Sequence, residues 1–171
     1  MELAGTIIGY IAVAVNFLIY QQKTKRGLLT CKACADVLWI THYCLIGGYT
    51  GAAVNGVALI REVFFFNNDK NSKTGKIALM CFLCASVICS ILTWKSVFSL
   101  FAMAGSLISV ISFWIGSPKV SRILSFPVSA CMLIYGVSNH SLAVLINEIL
   151  VMVSSVIGIL HHDRAGKAKA S

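Results

Sequence analysis

The sequence is poor in charged residues, and acidic residues and prolines are especially rare. Only 12% of its 171 residues are charged, six residues are acidic and two are proline, whereas 58% are hydrophobic. A typical soluble domain carries roughly 25% charged residues, and a globule of this size could not cover so much apolar surface. The composition excludes a soluble domain, a disordered chain and a disulfide-stapled secreted module, and it favours a polytopic membrane protein.

Motifs for catalysis and nucleotide binding are also missing. The sequence has no hydrolase triad, P-loop, zinc motif or dinucleotide fingerprint, so we expect no enzyme activity, no cofactor and no metal site. The chain opens on Met1-Glu2-Leu3 without a basic stretch before its first apolar run. We therefore expect that run to be retained as a span rather than cleaved as a signal peptide.

Seven apolar segments follow one another along the chain. They cover about residues 4–20, 33–48, 51–66, 77–93, 97–116, 122–138 and 141–160. A membrane-spanning helix needs about 20 residues, so seven spans leave almost no room for a soluble domain. The sequence thus predicts an all-α membrane protein with seven transmembrane helices.

The basic residues lie mainly in short loops and in the C-terminal tail. With the N-terminus outside, the loops after segments 1, 3 and 5 and the tail would face the cytoplasm, carrying Lys23, Lys25, Arg26, Lys32, Lys70, Lys73, Lys76, Lys119, Arg122, Arg164, Lys167 and Lys169. Only Lys95 would face outward, and Arg61 lies near the inner end of segment 3. The positive-inside rule then predicts an N-out, C-in topology. This loop pattern also argues against nucleic-acid binding, despite the net charge of +8.

The two halves of the chain resemble each other. Shifts of 92 or 96 positions relate Tyr43 to Tyr135, Asn55 to Asn147, and Gly9 to Gly105. Segments 1–3 and 5–7 would then be two copies of one unit in a 3+1+3 parallel repeat, a symmetry found in small transporters. In this division residues 4–66 form the first bundle, 67–96 a linker with the connecting helix 77–93, 97–160 the second bundle, and 161–171 a basic cytoplasmic tail.

Polar side chains within the segments are the candidates for function, because such groups are costly in the bilayer unless they face a cavity or a partner. Asp36, Trp39, Tyr43 and Gly47 share one face of segment 2. An aromatic ring and two amides around a pseudo-twofold axis suit a small polyhydroxyl molecule. The predicted substrate site comprises Trp39, Tyr43, Asn55, Cys131, Tyr135 and Asn147. Alternatively, the amides only join helices through hydrogen bonds.

Ionisable residues raise a second possibility, coupling to protons. Asp36 and Glu148 could take up a proton during transport, or they could be carboxyl groups hydrogen-bonded locally. Arg61 and Glu62 are typical of an interfacial anchor or a local ion pair. His42 lies close to Trp39 on the same face, and we expect it to take part in helix packing.

Cysteines suggest a rival function. Of the seven cysteines, Cys31 with Cys34 and Cys81 with Cys84 form C-x-x-C pairs, which occur in thiol oxidoreductases. The predicted topology places both pairs toward the reducing cytoplasmic side, where buried cysteine behaves as a small hydrophobe.

Several stretches resemble known membrane proteins. The segments IIGYIAVAVNFLIY, GGYTGAAVNGVALIRE, AGSLISVISFWIG and SACMLIYGVSNHSLAVLINEILV resemble the YgjV-type bacterial inner membrane protein family over nearly the whole chain. Trp39 and Asn55, 16 residues apart on consecutive helices, resemble the sugar-site pair of the SWEET and SemiSWEET transporters in the PQ-loop superfamily. Segment 1 lacks the Pro-Gln pair of those proteins and ends Tyr20-Gln21-Gln22.

The SWEET resemblance implies alternating access without ATP and a midplane site in which Trp39 stacks on a sugar and Asn55 and Asn147 hydrogen-bond to it. Together these observations predict a bacterial inner membrane transporter for a small polar solute, with a sugar as one candidate. The alternative is a non-transporting subunit or sensor whose polar residues only pack helices. We expect membrane lipid as a partner. Whether the protein forms a homo-oligomer is left open by the sequence.

Overall fold

The computed structural model describes residues 2–45, 49–68, 71–92, 94, 96–138, 140 and 142–164. All regular secondary structure in these ranges is helical. Gly47 of the predicted segment 2 face lies outside the described residues, as do Lys70, Lys95, Lys167 and Lys169 of the charge pattern.

Seven α-helices account for the described chain. They are α1 Glu2–Ile19, α2 Lys25–Leu45, α3 Tyr49–Asn67, α4 Lys73–Leu92, α5 Ser99–Ile115, α6 Pro118–Ser138 and α7 Leu142–Gly158. A π-helical turn, Ile159–Arg164, continues α7. Each helix matches one predicted apolar segment.

The largest difference from the predicted boundaries is the start of α2, which begins at Lys25 and not near residue 33. Lysine and arginine are good helix formers, so a charged stretch need not be a loop. The hydroxyl of Thr24 also accepts a hydrogen bond from the Gly27 N–H at 3.1 Å, which caps the first turn. The boundary predicted from apolar residues alone therefore makes this helix too short.

Three helices are long and apolar enough to cross a membrane: Lys73–Leu92, Pro118–Ser138 and Val144–His162. The apolar stretches Leu3–Ile19 and Ser99–Ile115 are shorter. Helices α2 and α3 carry three of the buried ionisable residues described below, Asp36, Arg61 and Glu62.

The distribution of side chains is the reverse of that in a soluble protein. Among the described residues, the outer surface carries large apolar side chains such as Leu3, Tyr10 and Leu92, which are 76%, 73% and 79% exposed. The buried polar set includes five ionisable residues and a run of serines on α6 and α7, namely Asp36, Arg61, Glu62, Arg122, Glu148, Ser121, Ser125, Ser129, Ser154 and Ser155. An apolar exterior around a polar interior suits a lipid solvent, in which polar groups must find partners inside the protein.

The helices pack mostly with their neighbours in sequence. α2 packs against α1 and α3, α6 packs against α5 and α7, and α4 packs mainly on α5. Two further contacts join distant parts of the chain, α1 with α7 and α3 with α5.

Arg122, near the start of α6, hydrogen-bonds to the end of α1. It is 2% exposed and donates from Nε to the carbonyl of Tyr20 at 2.7 Å and from Nη2 to that of Gln22 at 2.6 Å. Gly158, at the end of α7, lies directly against this contact. A cation next to helix C-terminal carbonyls is favourable because it complements the helix dipole.

Lys25, at the start of α2, makes a similar contact with α3 and α5. Its Nζ donates to the carbonyl of Asn68 at 3.1 Å, and its side chain lies over Gly116, the left-handed C-cap of α5 with φ of 64°. The ends of α1, α3, α5 and α7 therefore meet the starts of α2 and α6 at one end of the bundle, which we call the basic end.

Candidate functional site

The most concentrated polar chemistry lies between α2 and α3. Lys32 and Asp36, one turn apart on α2, form an ion pair. Arg61 donates from Nε and Nη2 to Oε1 of its neighbour Glu62, at 3.2 Å and 2.8 Å. Asp36 lies close enough to Arg61 and Glu62 to interact electrostatically with both. We call these four residues the ionic cluster.

Helix α5 contributes an aromatic ring to the ionic cluster. The Lys32 ammonium lies 5.9 Å, and the Arg61 guanidinium carbon 5.6 Å, from the centre of the Phe113 ring. Both distances are within the range of cation–π attraction. Phe113 is 4% exposed, so this contact is buried and links α5 to the α2–α3 pair.

Two carboxylate oxygens of the ionic cluster have no hydrogen-bond partner. Asp36 Oδ2 and Glu62 Oε2 are buried and have no hydrogen-bond partner, and both residues are 0% exposed. Buried polar atoms in native proteins are almost always hydrogen-bonded, so each such atom calls for an explanation. A bound proton or ligand donor would satisfy these oxygens.

A second polar chain joins α1, α6 and α7. Asn16 donates from Nδ2 to Asn147 Oδ1 at 3.0 Å, and Asn147 donates in turn to Glu148 Oε1 at 3.2 Å. The hydroxyl of Ser129 donates to Glu148 Oε2 at 2.6 Å. We call these four residues the amide–carboxyl chain. Both oxygens of the Glu148 carboxyl accept from neutral donors.

Replacing Asn16 with alanine should destabilise the folded protein by about 1 kcal/mol, the typical worth of a hydrogen bond between membrane helices. Asn67→Ala is the matched control, because the Asn67 side chain is exposed and bonds only to the Val63 carbonyl of its own helix, at 3.0 Å. The measurement is the free energy of unfolding in mixed micelles titrated with sodium dodecyl sulfate. Equal effects of the two substitutions would contradict a role for Asn16 in joining α1 to α7.

The predicted aromatic face of α2 is confirmed, but it packs against other helices. Trp39 stacks on Tyr43 with ring centres 5.8 Å apart and meets His42 edge-on at 5.4 Å. The Nδ1 atom of His42 lies 2.7 Å from the Gly5 carbonyl of α1. Trp39 also packs against a buried apolar cluster, formed by Ile19, Leu28, Leu29, Ala35, Phe65, Ala78, Val110 and Phe113. The expected packing role of His42 is confirmed.

The other predicted substrate residues lie on α3, α6 and α7. Asn55 and Tyr135 are half-buried, Cys131 packs against Gly105 of α5, and Asn147 belongs to the amide–carboxyl chain. The structure thus brings together Trp39 with Tyr43, and Asn147 with Glu148.

Two cavities flank the ionic cluster on opposite sides of α3. The first, of about 550 Å³, lies between α2 and α3 and includes Cys34, Glu62 and Asn67 in its lining. The second, of about 340 Å³, lies between α3, α4 and α5 and is lined in part by Arg61. Neither of these two cavities has a predicted substrate residue in its lining.

Asn16 and Ser129 were not candidates from the sequence, and Arg61 with Glu62 was expected only as an interfacial anchor or a local ion pair. Arg61 and Glu62 do form a local ion pair, but it is buried at 9% and 0% exposure and therefore is not an interfacial anchor. Asn16 and Ser129 lie within apolar stretches, where a lone asparagine or serine has an ambiguous meaning. The sequence signal that could have found them is that every polar residue in a span needs a partner.

The cysteines are all free thiols. In the first C-x-x-C pair, Cys31 lies against the Val15 carbonyl with its sulfur 3.6 Å away, while Cys34 is exposed. Cys81 and Cys84 are exposed on α4, whose exposed surface is otherwise largely apolar.

A chain whose described residues form only helices, with an apolar exterior, buried charges and membrane-length helices, is an integral membrane protein. The family model for the bacterial inner membrane protein Imp-YgjV matches residues 3–166, so the chain belongs to this family. No curated protein and no solved structure matches the chain. The resemblance to SWEET and PQ-loop proteins therefore finds no support in these comparisons.

Proposed function

We propose that this protein carries a small polar solute across the bacterial inner membrane by alternating access between two three-helix bundles. In this proposal the chain crosses the membrane seven times in a 3+1+3 arrangement, with α4 connecting α1–α3 to α5–α7. The observation that carries the proposal is that two contacts between the bundles each involve a buried polar network. The α3–α5 contact contains the ionic cluster, and the α1–α7 contact contains the amide–carboxyl chain. Buried ionisable groups in membrane helices mark solute or ion pathways more often than packing.

The two inter-bundle contacts resemble each other in register, which supports the repeat. Ser154 of α7 donates from its hydroxyl to the carbonyl of Phe17 on α1. Adding 96 to Phe17 gives Phe113, and subtracting 92 from Ser154 gives Glu62. These are residues of the α3–α5 contact, where Arg61, bonded to Glu62, lies over Phe113. The shifts are the same two that relate the halves in sequence.

The basic end supports the same symmetry. Lys25 lies over Gly116 at the end of α5, and Arg122 binds Tyr20 at the end of α1. Gly116 and Tyr20 are themselves 96 positions apart. Because basic loops stay in the cytoplasm, we assign the basic end to the cytoplasmic side, which makes the protein N-out and C-in.

For the substrate, we propose a small polar solute that reaches the interface between the bundles, with sugars first among those to test. Trp39, Tyr43, Asn55, Cys131, Tyr135 and Asn147 are the proposed contacts. Asp36 and Glu148 are proposed to take up protons during the cycle, since one belongs to each inter-bundle network.

Uptake into proteoliposomes tests the proposal. We expect the wild type to accumulate at least one solute from a panel of labelled sugars, sugar acids and amino acids. Asn55→Ala combined with Asn147→Ala should lower that uptake by roughly tenfold or more, because each lost hydrogen bond to a solute is worth about 1 kcal/mol.

Asn67→Ala is the matched control, an amide removed from the same helix as Asn55 but at an exposed position. It should transport like the wild type. Folding is monitored for every variant by its elution as a single species from size-exclusion chromatography. Absence of uptake of every solute by well-folded wild type would overturn the proposal.

A second candidate function is a non-transporting subunit or sensor. The observation that favours it is that Asn147 already bonds to Asn16 and Glu148, as expected for an amide that only joins helices. Failure of all uptake, together with co-purification of a stoichiometric membrane partner, would favour this candidate.

A further inference from the structure

The smaller cavity has the make-up of a ligand site with one cationic end. It lies at the α3–α5 contact and is closed on one side by α4. Arg61 lines it together with Ser86, Ser90 and Ser106, and the remaining lining is mainly apolar. Its volume of about 340 Å³ is enough for a solute the size of a monosaccharide.

Arg61 is positioned to bind an anion in this cavity. Its Nε and Nη2 both donate to one oxygen of Glu62, and its side chain is 10% exposed whereas that of Glu62 is 0% exposed. A guanidinium presents five donors in a planar fork that matches a carboxylate. The residue can therefore hold Glu62 on one edge and meet a ligand on the cavity side.

Charge balance limits which ligand can enter. The ionic cluster pairs two cations, Lys32 and Arg61, with two carboxylates, Asp36 and Glu62, so it is neutral as a unit. A buried extra anion in a low-dielectric interior is strongly unfavourable unless another charge compensates it. Protonation of one cluster carboxyl would restore neutrality.

The carboxyl oxygens are placed to accept that proton. Asp36 Oδ2 and Glu62 Oε2 have no hydrogen-bond partner, so each can take a proton without breaking a bond. Glu62 lines the larger cavity on the opposite side of α3 from the Arg61 cavity. The charged or titratable groups that face the two carboxyls are Lys32 on α2, Arg61 on α3 and Cys34, which lines the larger cavity with Glu62.

We propose that the cavity between α3, α4 and α5 binds a small organic acid through its carboxylate at Arg61, and that binding is accompanied by uptake of one proton by the Asp36–Glu62 pair. The proton comes from water through the larger cavity, and no bond of the ligand breaks. Binding stands on its own, whereas proton-coupled transport of the acid rests on the function proposed above.

Calorimetry on the full chain in phosphatidylcholine nanodiscs tests the site. Glucuronate and glucose are the probes, since they differ only in the carboxylate at C6. We expect glucuronate to bind and glucose to bind at least about tenfold more weakly, because a missing charged hydrogen-bond partner costs roughly 1.5–3 kcal/mol. Titrations in buffers of different ionisation heat should record uptake of up to one proton per glucuronate. By linkage, glucuronate affinity should fall by up to roughly tenfold per unit of rising pH.

Two variants separate the anion site from the proton site. Glu62→Gln leaves the cluster with one excess positive charge, so glucuronate should bind without proton uptake and its affinity should become nearly independent of pH. Arg61→Gln combined with Glu62→Gln keeps the cluster neutral, which protects folding, and should abolish glucuronate binding. Arg26→Gln removes a positive charge from an exposed position on α2 and should bind like the wild type.

The inference is overturned if glucose binds as well as glucuronate, or if the Arg61→Gln/Glu62→Gln protein keeps wild-type affinity. Loss of glucuronate binding when the nanodiscs contain phosphatidylglycerol would also overturn it, because the occupant would then be a lipid headgroup. Glucuronate binding without uptake into proteoliposomes would support the site and refute transport of this acid. Uptake of a neutral solute without glucuronate binding would refute the organic-acid site and support the proposed transport function.

Discussion

Replacing Arg61 with methionine is expected to destabilise the folded protein by roughly 3–5 kcal/mol, the usual penalty for breaking a buried ion pair. The substitution leaves Glu62, which is 0% exposed, without the two hydrogen bonds to Oε1 that now compensate its charge. The Phe113 ring also loses one of its two cations. The measurement is the free energy of unfolding in mixed micelles titrated with sodium dodecyl sulfate.

The double replacement Arg61→Met/Glu62→Leu is the matched control for this prediction. Removing both members of a buried ion pair and filling the space with apolar side chains is often neutral or stabilising. We therefore expect the double variant to recover most of the stability lost in Arg61→Met. If the double variant were as unstable as the single one, the loss would come from the shape of the Arg61 side chain rather than from an unpaired charge.

Gly158→Ala is expected to destabilise the fold by roughly 1–3 kcal/mol, as overpacking of a close contact does. A Cβ atom at this position would lie 2.5 Å from the Tyr20 carbonyl oxygen and 2.6 Å from Arg122 Nε. Both atoms are already held by the hydrogen bond between them, at 2.7 Å. The end of α7 would have to move away from α1 and α6, which should lower the midpoint of thermal unfolding measured by size-exclusion chromatography.

Gly56→Ala serves as the control for Gly158→Ala. Apart from its two chain neighbours and the nearby backbone of its own helix, no atom lies within 4 Å of a Cβ built at Gly56. Alanine within a helix is favoured over glycine by roughly 0.5–1 kcal/mol. The protein with Gly56→Ala should therefore be as stable as the wild type or slightly more stable. A similar loss in both variants would argue against a special contact at Gly158.

The site was predictable in part from residue types. Asp36 and Glu148 stand out as carboxyls within apolar segments, and both lie in buried polar networks. Trp39 and Tyr43, four residues apart, were predicted to share a face and do stack. The partners of these groups could not be predicted, because Asn16 lies 131 positions from Asn147 along the chain and only the packing of α1 on α7 brings them together.

The helical membrane character of this chain and the number of helices in its described residues follow from the residue pattern alone. That information is local, since a run of apolar residues bounded by charged or flexible ones forms a helix in lipid whatever its neighbours are. Helix packing, in contrast, sets the burial of Arg61 and Glu62, the contact of Arg122 with the end of α1, and the position of the ionic cluster between two cavities. Those facts depend on which helix faces meet. In lipid, apolar burial does not select those faces, so close packing and the pairing of a few polar side chains must do so.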